Sequence, residues 1–185
     1  MLVIHVEAQE FYDGYKEMFF NTKPLTVRLE HSLISISKWE AHYQKPFLPS
    51  PTRKGMSGER EELYYISCMI IGSVPDYVPE VIKRTHRAEL EEYIGNPHTA
   101  TTIHRHGMTP PARSTITAEL IYYWMIRFGI DISCQQWHFN RLMTLIDVCS
   151  LKEQESNKKG SGNKMNALES AQYRQDLNQA RKAAL

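Results

Sequence analysis

The sequence predicts an α+β fold that is mostly α: a small N-terminal antiparallel β-hairpin or meander, a compact bundle of about five helices, and a flexible C-terminal helical tail. Three observations carry this. Residues 1–29 alternate apolar and polar side chains in the strand manner. From Glu30 onward the apolar residues recur at spacings of three and four. Beyond Leu151 the composition turns polar and loses any core-forming pattern. The expected organisation is a single globular domain over 1–150, a flexible linker over 151–164 and a helix over 165–185.

The strands are "LVIHV", the two arms of "EFYDGYKEMFF", and "LTVRL" after Pro24. Asp13-Gly14 between aromatic residues signals a tight hairpin turn, because both turn positions need positive φ. In "LEHSLISISKWEAHYQKPFL" the stripe of Leu33, Ile36, Trp39 and Tyr43 marks a helix, with a short polar residue beside His31 at its start and Pro46 as its stop. "PSPTRKGMSG" reads as an exposed loop. Ser57 then caps a helix whose first turn carries Glu59, Glu61 and Glu62 against the positive end of the dipole. Its buried face is Leu63, Ile66, Met69 and Ile70, with Gly72 at its end.

Pro79 opens a short helical turn, and Thr85 caps another that carries Leu90, Tyr93 and Ile94 as far as Gly95. Residues 96–113 form a long irregular connection. Ser114 or Thr115 starts the most apolar helix, "ITAELIYYWMIRFG", which Gly129 ends. A capping box of Ser133 and Gln136, stapled by Ile132 and Trp137, is expected to open the last core helix through Leu142, Leu145, Ile146 and Cys149. After the linker, "MNALESAQYRQDLNQARKAAL" forms helix readily but would be marginal alone, so it orders on a partner. Met165, Leu168, Ala171 and Leu177 are its candidate partner-binding residues.

Charge and composition exclude several functions. The 185 residues carry a net charge of +1. Residues 1–150 hold 15 Lys and Arg against 17 Asp and Glu, a net −2, and residues 151–185 hold 7 against 4, a net +3. A body this close to neutral has no electrostatic footprint for nucleic acid. The longest apolar run, Ala118 to Ile126, is interrupted by Glu119 and two tyrosines and falls short of a bilayer span. "MLVIHVEAQE" lacks the basic region and apolar stretch of a secretory leader. Cys68, Cys134 and Cys149 are odd in number and widely spaced, which reads as reduced core cysteines of an intracellular protein.

The most site-like group is His98, His104 and His106 in the long connection. His-x-His on extended backbone can present two imidazoles to one metal, but the loop offers no carboxylate or cysteine to complete the set, which favours a solvated polar loop. His31 and His42 lie near Glu30 and Glu40, yet no Ser or Cys stands in a nucleophile context. His138 beside Trp137 reads as a hydrogen-bonded core histidine. There is no phosphate-cradling glycine loop, no Cys-x-x-Cys and no dinucleotide fingerprint. Tyr64-Tyr65 and Tyr122-Tyr123-Trp124 sit among Leu, Ile and Met, without the basic neighbours of a base-stacking platform, and read as core and interface. No catalytic residue, metal or cofactor is assigned, and a binding or assembly role is the expectation.

Four segments together resemble small tail-morphogenesis proteins of long-tailed bacteriophages: "LTVRLEHSLISISKWEAHYQKPFL", "EELYYISCM", "TAELIYYWMIRFGIDISCQQWHFNRLMTLIDVC" and the terminal "LNQARKAAL". The resemblance implies a non-enzymatic siphovirus tail assembly chaperone, encoded near the tape measure protein. It would cover that apolar client in the host cytoplasm until tail tube subunits polymerise around it, by laying helices into grooves. Tape measure protein, tail tube protein and self-association are the implied partners, with no nucleic acid and no membrane. The runner-up is a structural virion protein, such as a minor tail or head-to-tail connector component. A metal-dependent enzyme using His98, His104 and His106 is the third alternative.

Overall fold

The structure is a computed structural model that describes residues 1–8, 10–13, 18–49, 55–103 and 115–156. The fold class is α+β and mostly α, as the sequence predicts. Strands β1 (Leu2–Val6) and β4 (Leu25–Leu29) pair antiparallel from Leu2↔Leu29 to Val6↔Leu25. Strands β2 (Glu10–Asp13) and β3 (Met18–Asn21) pair from Glu10↔Asn21 to Asp13↔Met18. Both ladders keep one register: carrying the β1·β4 pairing inward past residues 7–9 and 22–24 brings Glu10 to Asn21. The N-terminal region is therefore one long interrupted hairpin, in which β1 pairs with β4 and not with β2 as a meander would require. Pro24, which has no N–H to donate, sits in the interruption. The Asp-Gly expectation is corrected at Asp13, which is still inside the ladder opposite Met18, and Gly14 lies outside the described residues.

Alternation sends Ile4, Val6, Val27 and Leu29 into the core, each 3 % exposed or less. Helix α1 (Leu33–Tyr43) starts at Ser32, whose hydroxyl accepts from the Ser35 N–H at 3.3 Å. Gln44 ends it in the left-handed region, with its N–H on the Glu40 carbonyl, two residues before Pro46. Its stripe buries Leu33, Ile36 and Trp39 completely. The Trp39 indole N–H donates to the Glu61 carbonyl at 3.1 Å, and its ring meets those of Tyr43 and Phe47. Ser32→Ala should lower stability by about 1 kcal/mol through the lost cap. A urea-melt difference below a third of that would show that the cap contributes little.

Helix α2 (Glu59–Met69) is capped by Gly58 at φ 129° and not by Ser57. Ser57 instead gives its N–H to the Glu61 carboxylate at 2.8 Å, so the acidic first turn reaches back over the cap. The same acids bind across helices, Glu62 and Glu59 to Lys83 at 3.0 and 3.2 Å. Gly55 allows the preceding loop to close: a Cβ there would stand 2.3 Å from the Phe47 carbonyl oxygen. Beyond α2 the chain runs alongside β4, with Glu30 N–H on the Met69 carbonyl and Ile71 N–H on the Arg28 carbonyl.

Helices α3 (Val78–Thr85) and α4 (Arg87–Gly95) meet at His86, not at Thr85, whose hydroxyl turns back onto the Val81 carbonyl inside α3. Helix α5 (Ala118–Arg127) is capped by Thr117, and Gly129 follows its end at φ 64°. The expected Ser133 capping box is replaced by a 3-10 turn over Ile132–Gln136, opened by the Asp131 carboxylate accepting from Ser133 N–H at 2.8 Å. The next α-helix starts instead at residue 139. His138 performs both capping functions: its ring Nδ1 accepts from Asn140 N–H, and its carbonyl accepts from Leu142 N–H. Ile132 is 54 % exposed, and Trp137 carries the Arg141 guanidinium over its ring, so no staple forms between them.

The chain divides into two compact units, Met1–Leu145 and Ile146–Leu185. In the first, α1 packs against α2, α5 and the 3-10 turn, α2 against α3, and α3 against α4 and β1. The second is described over 146–156, where every residue is helical. Residues 151–156, expected as the start of a linker, are therefore ordered in helix. Lys152 and Glu155 pair across one turn, and the Ser156 hydroxyl returns to the Lys152 carbonyl. The rest of the linker and the tail residues Met165, Leu168, Ala171 and Leu177 lie outside the described residues.

Candidate functional site

The junction between β4 and α1 places His31 and Ser32 in the interior, with Glu30 half-buried beside them. An antiparallel bridge from Ser32 to His138, with Phe139 N–H on the His31 carbonyl at 2.7 Å, draws the start of the last helix against this junction. Three imidazoles then follow one another. The His31 and His138 ring centroids are 5.1 Å apart, and those of His138 and His98 are 4.1 Å apart. Tyr65 and Phe139 close on His31, and Tyr93 contacts both His98 and His138.

This group is polar but its hydrogen bonds are internal. His138 donates from Nε2 to the Tyr93 carbonyl at 3.1 Å, which leaves Nδ1 free of a proton for Asn140 N–H. Asn140 gives its side-chain N–H groups to the carbonyls of Ile94 and Asn96 and so fixes the end of α4. His31 Nδ1 is hydrogen-bonded to the Tyr65 hydroxyl. Tyr93 donates its hydroxyl to Glu30 Oε1, and Glu30 Oε2 pairs with the N-terminal amine of Met1 at 2.9 Å.

Burial disfavours charge on both inner histidines. The His31 pKa falls to about 3, mainly through desolvation and then through the neighbouring His138 and His98. That of His138 falls to about 4, again from desolvation first and His98 second. Burial likewise pushes the phenols of Tyr65 and Tyr93 upward, Tyr65 well above its ordinary value. Rings held neutral in this way are poor bases near neutral pH, and they act as fixed hydrogen-bonding blocks.

Glu40, whose pairing with a histidine lacks any nucleophile context in the sequence, is also interior, at 7 % exposed. Its Oε1 accepts from Phe47 N–H at 2.8 Å and its Oε2 from Ala118 N–H at 2.7 Å. One carboxylate on α1 thus holds both the loop that follows α1 and the first turn of α5. Desolvation raises its pKa, against the two backbone N–H groups that lower it. It lines a surface hollow of about 500 Å³ with Gln44, Lys45, Thr115, Thr117 and Glu119.

A second hollow, also about 500 Å³, brings together residue types that sequence spacing did not connect: Lys38 and His42 from α1, with Tyr64, Ser67 and Cys68 from α2. The signal was present as two i, i+4 pairs, but nothing local says that the two helix faces meet. His42 stacks on Tyr64 at 4.0 Å, and burial raises the Cys68 thiol to about 11, which holds it protonated rather than as the nucleophilic thiolate.

Of the three loop histidines, His98 turns toward His138, and His104 and His106 lie outside the described residues. Among the described residues no group of three or more His, Cys, Asp or Glu side chains is arranged to hold a metal ion. Among the described residues no helix is long and apolar enough to cross a membrane.

The outer face of the hairpin is mixed, with the hydrogen-bonded pair of His5 and Thr26 beside exposed apolar side chains. Val3 pairs with Arg28, and the Leu29↔Ile70 bridge places Ile71 on the other side of Arg28. Val3, Arg28 and Ile71 thus form one cross-strand row on the solvent face, with Val3 41 % and Ile71 48 % exposed. Comparison with family models, with curated proteins and with solved structures found no match to this chain.

Proposed function

We propose that this protein is a non-enzymatic bacteriophage tail assembly chaperone that binds the tape measure protein, the tail tube subunits or both in the host cytoplasm during tail morphogenesis. The phage context rests on the four sequence segments quoted above. The observation that carries the binding role is a contrast between two kinds of side chain. Of the histidines and carboxylates weighed as catalysts, His31, His138, Glu30 and Glu40 are taken up by the protein's own backbone and side chains, and His42 is stacked on Tyr64. Apolar side chains, by contrast, stand in solvent at Val3 and Ile71, on either side of Arg28. Exposed apolar side chains framed by polar ones offer an apolar client a place to dock.

Co-expression with the tape measure protein tests this. Wild-type protein is expected to keep the client in the soluble fraction, and Val3→Glu with Ile71→Glu is expected to lose most of that effect while the melting temperature stays unchanged. Client solubility that is the same with and without the protein would sink the proposal. A chaperone should also be missing from purified particles by mass spectrometry. Its presence there in stoichiometric amount would instead favour the structural virion reading.

A further inference from the structure

We propose that His98 and His138 form an acid-opened latch: a proton taken up by His138 frees residues 96–103 from the start of the last helix while the rest of the first unit stays folded. The latch needs no partner and so stands apart from the client. Residues 96–103 carry no helix or strand, and Asn96, Pro97 and His98 are exposed. They are tied to the body at two places. Asn140 gives a side-chain N–H to the Asn96 carbonyl at 2.9 Å, and the His98 ring lies over that of His138 with 4.1 Å between centroids. A segment with so few buried contacts belongs to the parts of a fold that open first. His98 is also held at φ 49°, a left-handed conformation that a non-glycine residue adopts at a cost and can leave on release.

His138 is the group on which acid acts. It is 6 % exposed and lies beneath the exposed His98 ring. Its Nδ1 accepts from Asn140 N–H at 3.3 Å, and its Nε2 donates to the Tyr93 carbonyl at 3.1 Å. A proton on Nδ1 turns that acceptor into a donor aimed at a donor. The hydrogen bond at the start of the helix is lost, and a charged ring is left without water.

Nothing in the surroundings offsets this. His31 and Glu30 face His138 from the junction of β4 and α1, the Met1 amine from the start of β1, Tyr93 from α4, and His98 from the segment itself, with Tyr65 of α2 behind His31. Among these, Glu30 carries the negative charge, and it already holds the Met1 amine and the Tyr93 hydroxyl. A charged His138 therefore reaches water when His98 swings away and takes residues 96–103 with it. The closed ring has its pKa lowered to about 4 and the opened ring returns to the ordinary 6.5, so opening is favoured as pH falls below 6.5.

Amide exchange followed by NMR on the full chain, at pH 6.5 and 5.0 and in a series of dilute urea concentrations, provides the test. Asn140 N–H is expected to exchange through an opening that urea leaves unchanged, the mark of a local event. Corrected for intrinsic exchange, that opening should become about 15-fold more frequent from pH 6.5 to 5.0, the effect of one proton. His138→Gln, which takes up no proton, should open equally often at both values. His98→Ala, which removes the cover, should bring the His138 ring titration up from about 4 toward the ordinary value. An Asn140 N–H that exchanges through urea-sensitive global unfolding alone overturns the proposal. So does a local opening that is the same at both pH values, one whose pH dependence survives in His138→Gln, or a His138 that titrates in His98→Ala as it does in wild type.

Discussion

Glu40→Ala is expected to destabilise the first unit by about 2–4 kcal/mol, the cost of leaving two buried backbone donors without acceptors. In a chain of this length that corresponds to a melting temperature lower by roughly 5–15 °C. The side chain is 7 % exposed and receives Phe47 N–H and Ala118 N–H on its two oxygens. Each of those donors belongs to a different piece of chain: one to the loop that leaves α1, the other to the open end of α5, where the first N–H groups have no partner within the helix. Truncation to alanine removes both acceptors at once. Glu40→Gln keeps the volume and one acceptor but points an amide N–H₂ at the remaining donor, so about half the loss is expected. The order wild type, Gln, Ala in urea midpoint is the result to look for. An alanine variant within about 0.5 kcal/mol of wild type, the usual range of surface substitutions, would mean that water entering the neighbouring hollow satisfies both donors.

Glu40 also shows where sequence reasoning stops. Its acceptor role spans 78 residues to Ala118. In the sequence it is an acid next to a tryptophan in a helix, with nothing to distinguish it from a solvated one. The elements themselves were legible, because strand alternation from Leu2 to Leu29 and the stripe of Leu33, Ile36 and Trp39 act within one strand or one turn of helix. Helix ends were legible only where the cap is local, as at Ser32 and Gly129. Ser133 and Gln136 fit a capping box by spacing, yet Asp131 took the Ser133 N–H first, and the bridge between Ser32 and His138 delayed the helix to residue 139. Thr85 fits a cap by type, but its hydroxyl found a carbonyl inside its own helix. The histidine group was read residue by residue as structural, and the contact among His31, His138 and His98 needs three segments to meet that no local pattern connects.

Those two inner histidines should make the protein lose stability as pH falls below about 6.5. Both have folded-state values below the ordinary imidazole value, about 3 for His31 and about 4 for His138, so the unfolded chain binds their protons first. Stability is therefore full above pH 6.5 and falls as pH drops from there toward 4 for His138 and 3 for His31. The slope is about 1.4 kcal/mol per pH unit for each ring. The groups around them do not reverse this sign. Glu30 pairs with the N-terminal amine and Tyr93, Tyr65 is a phenol held protonated, and His98 adds to the downward shift of both rings. Between pH 6.5 and 5 the depressed carboxyls of Glu61 and Asp131, held below the usual range by hydrogen bonds from Lys45 and Ser133, do not yet contribute, whereas Glu40, raised by desolvation, opposes the histidine slope as it takes up its proton in the folded state. Urea midpoints at pH 7.5, 6.5, 5.5 and 5.0 should fall with a slope below two protons. His138→Gln, which keeps a donor for the Tyr93 carbonyl, should cut that slope by about half even though it lowers the midpoint at pH 7.5. A midpoint that is flat between pH 6.5 and 5 would mean that water reaches the rings in the folded state and that they titrate as they do in the unfolded chain.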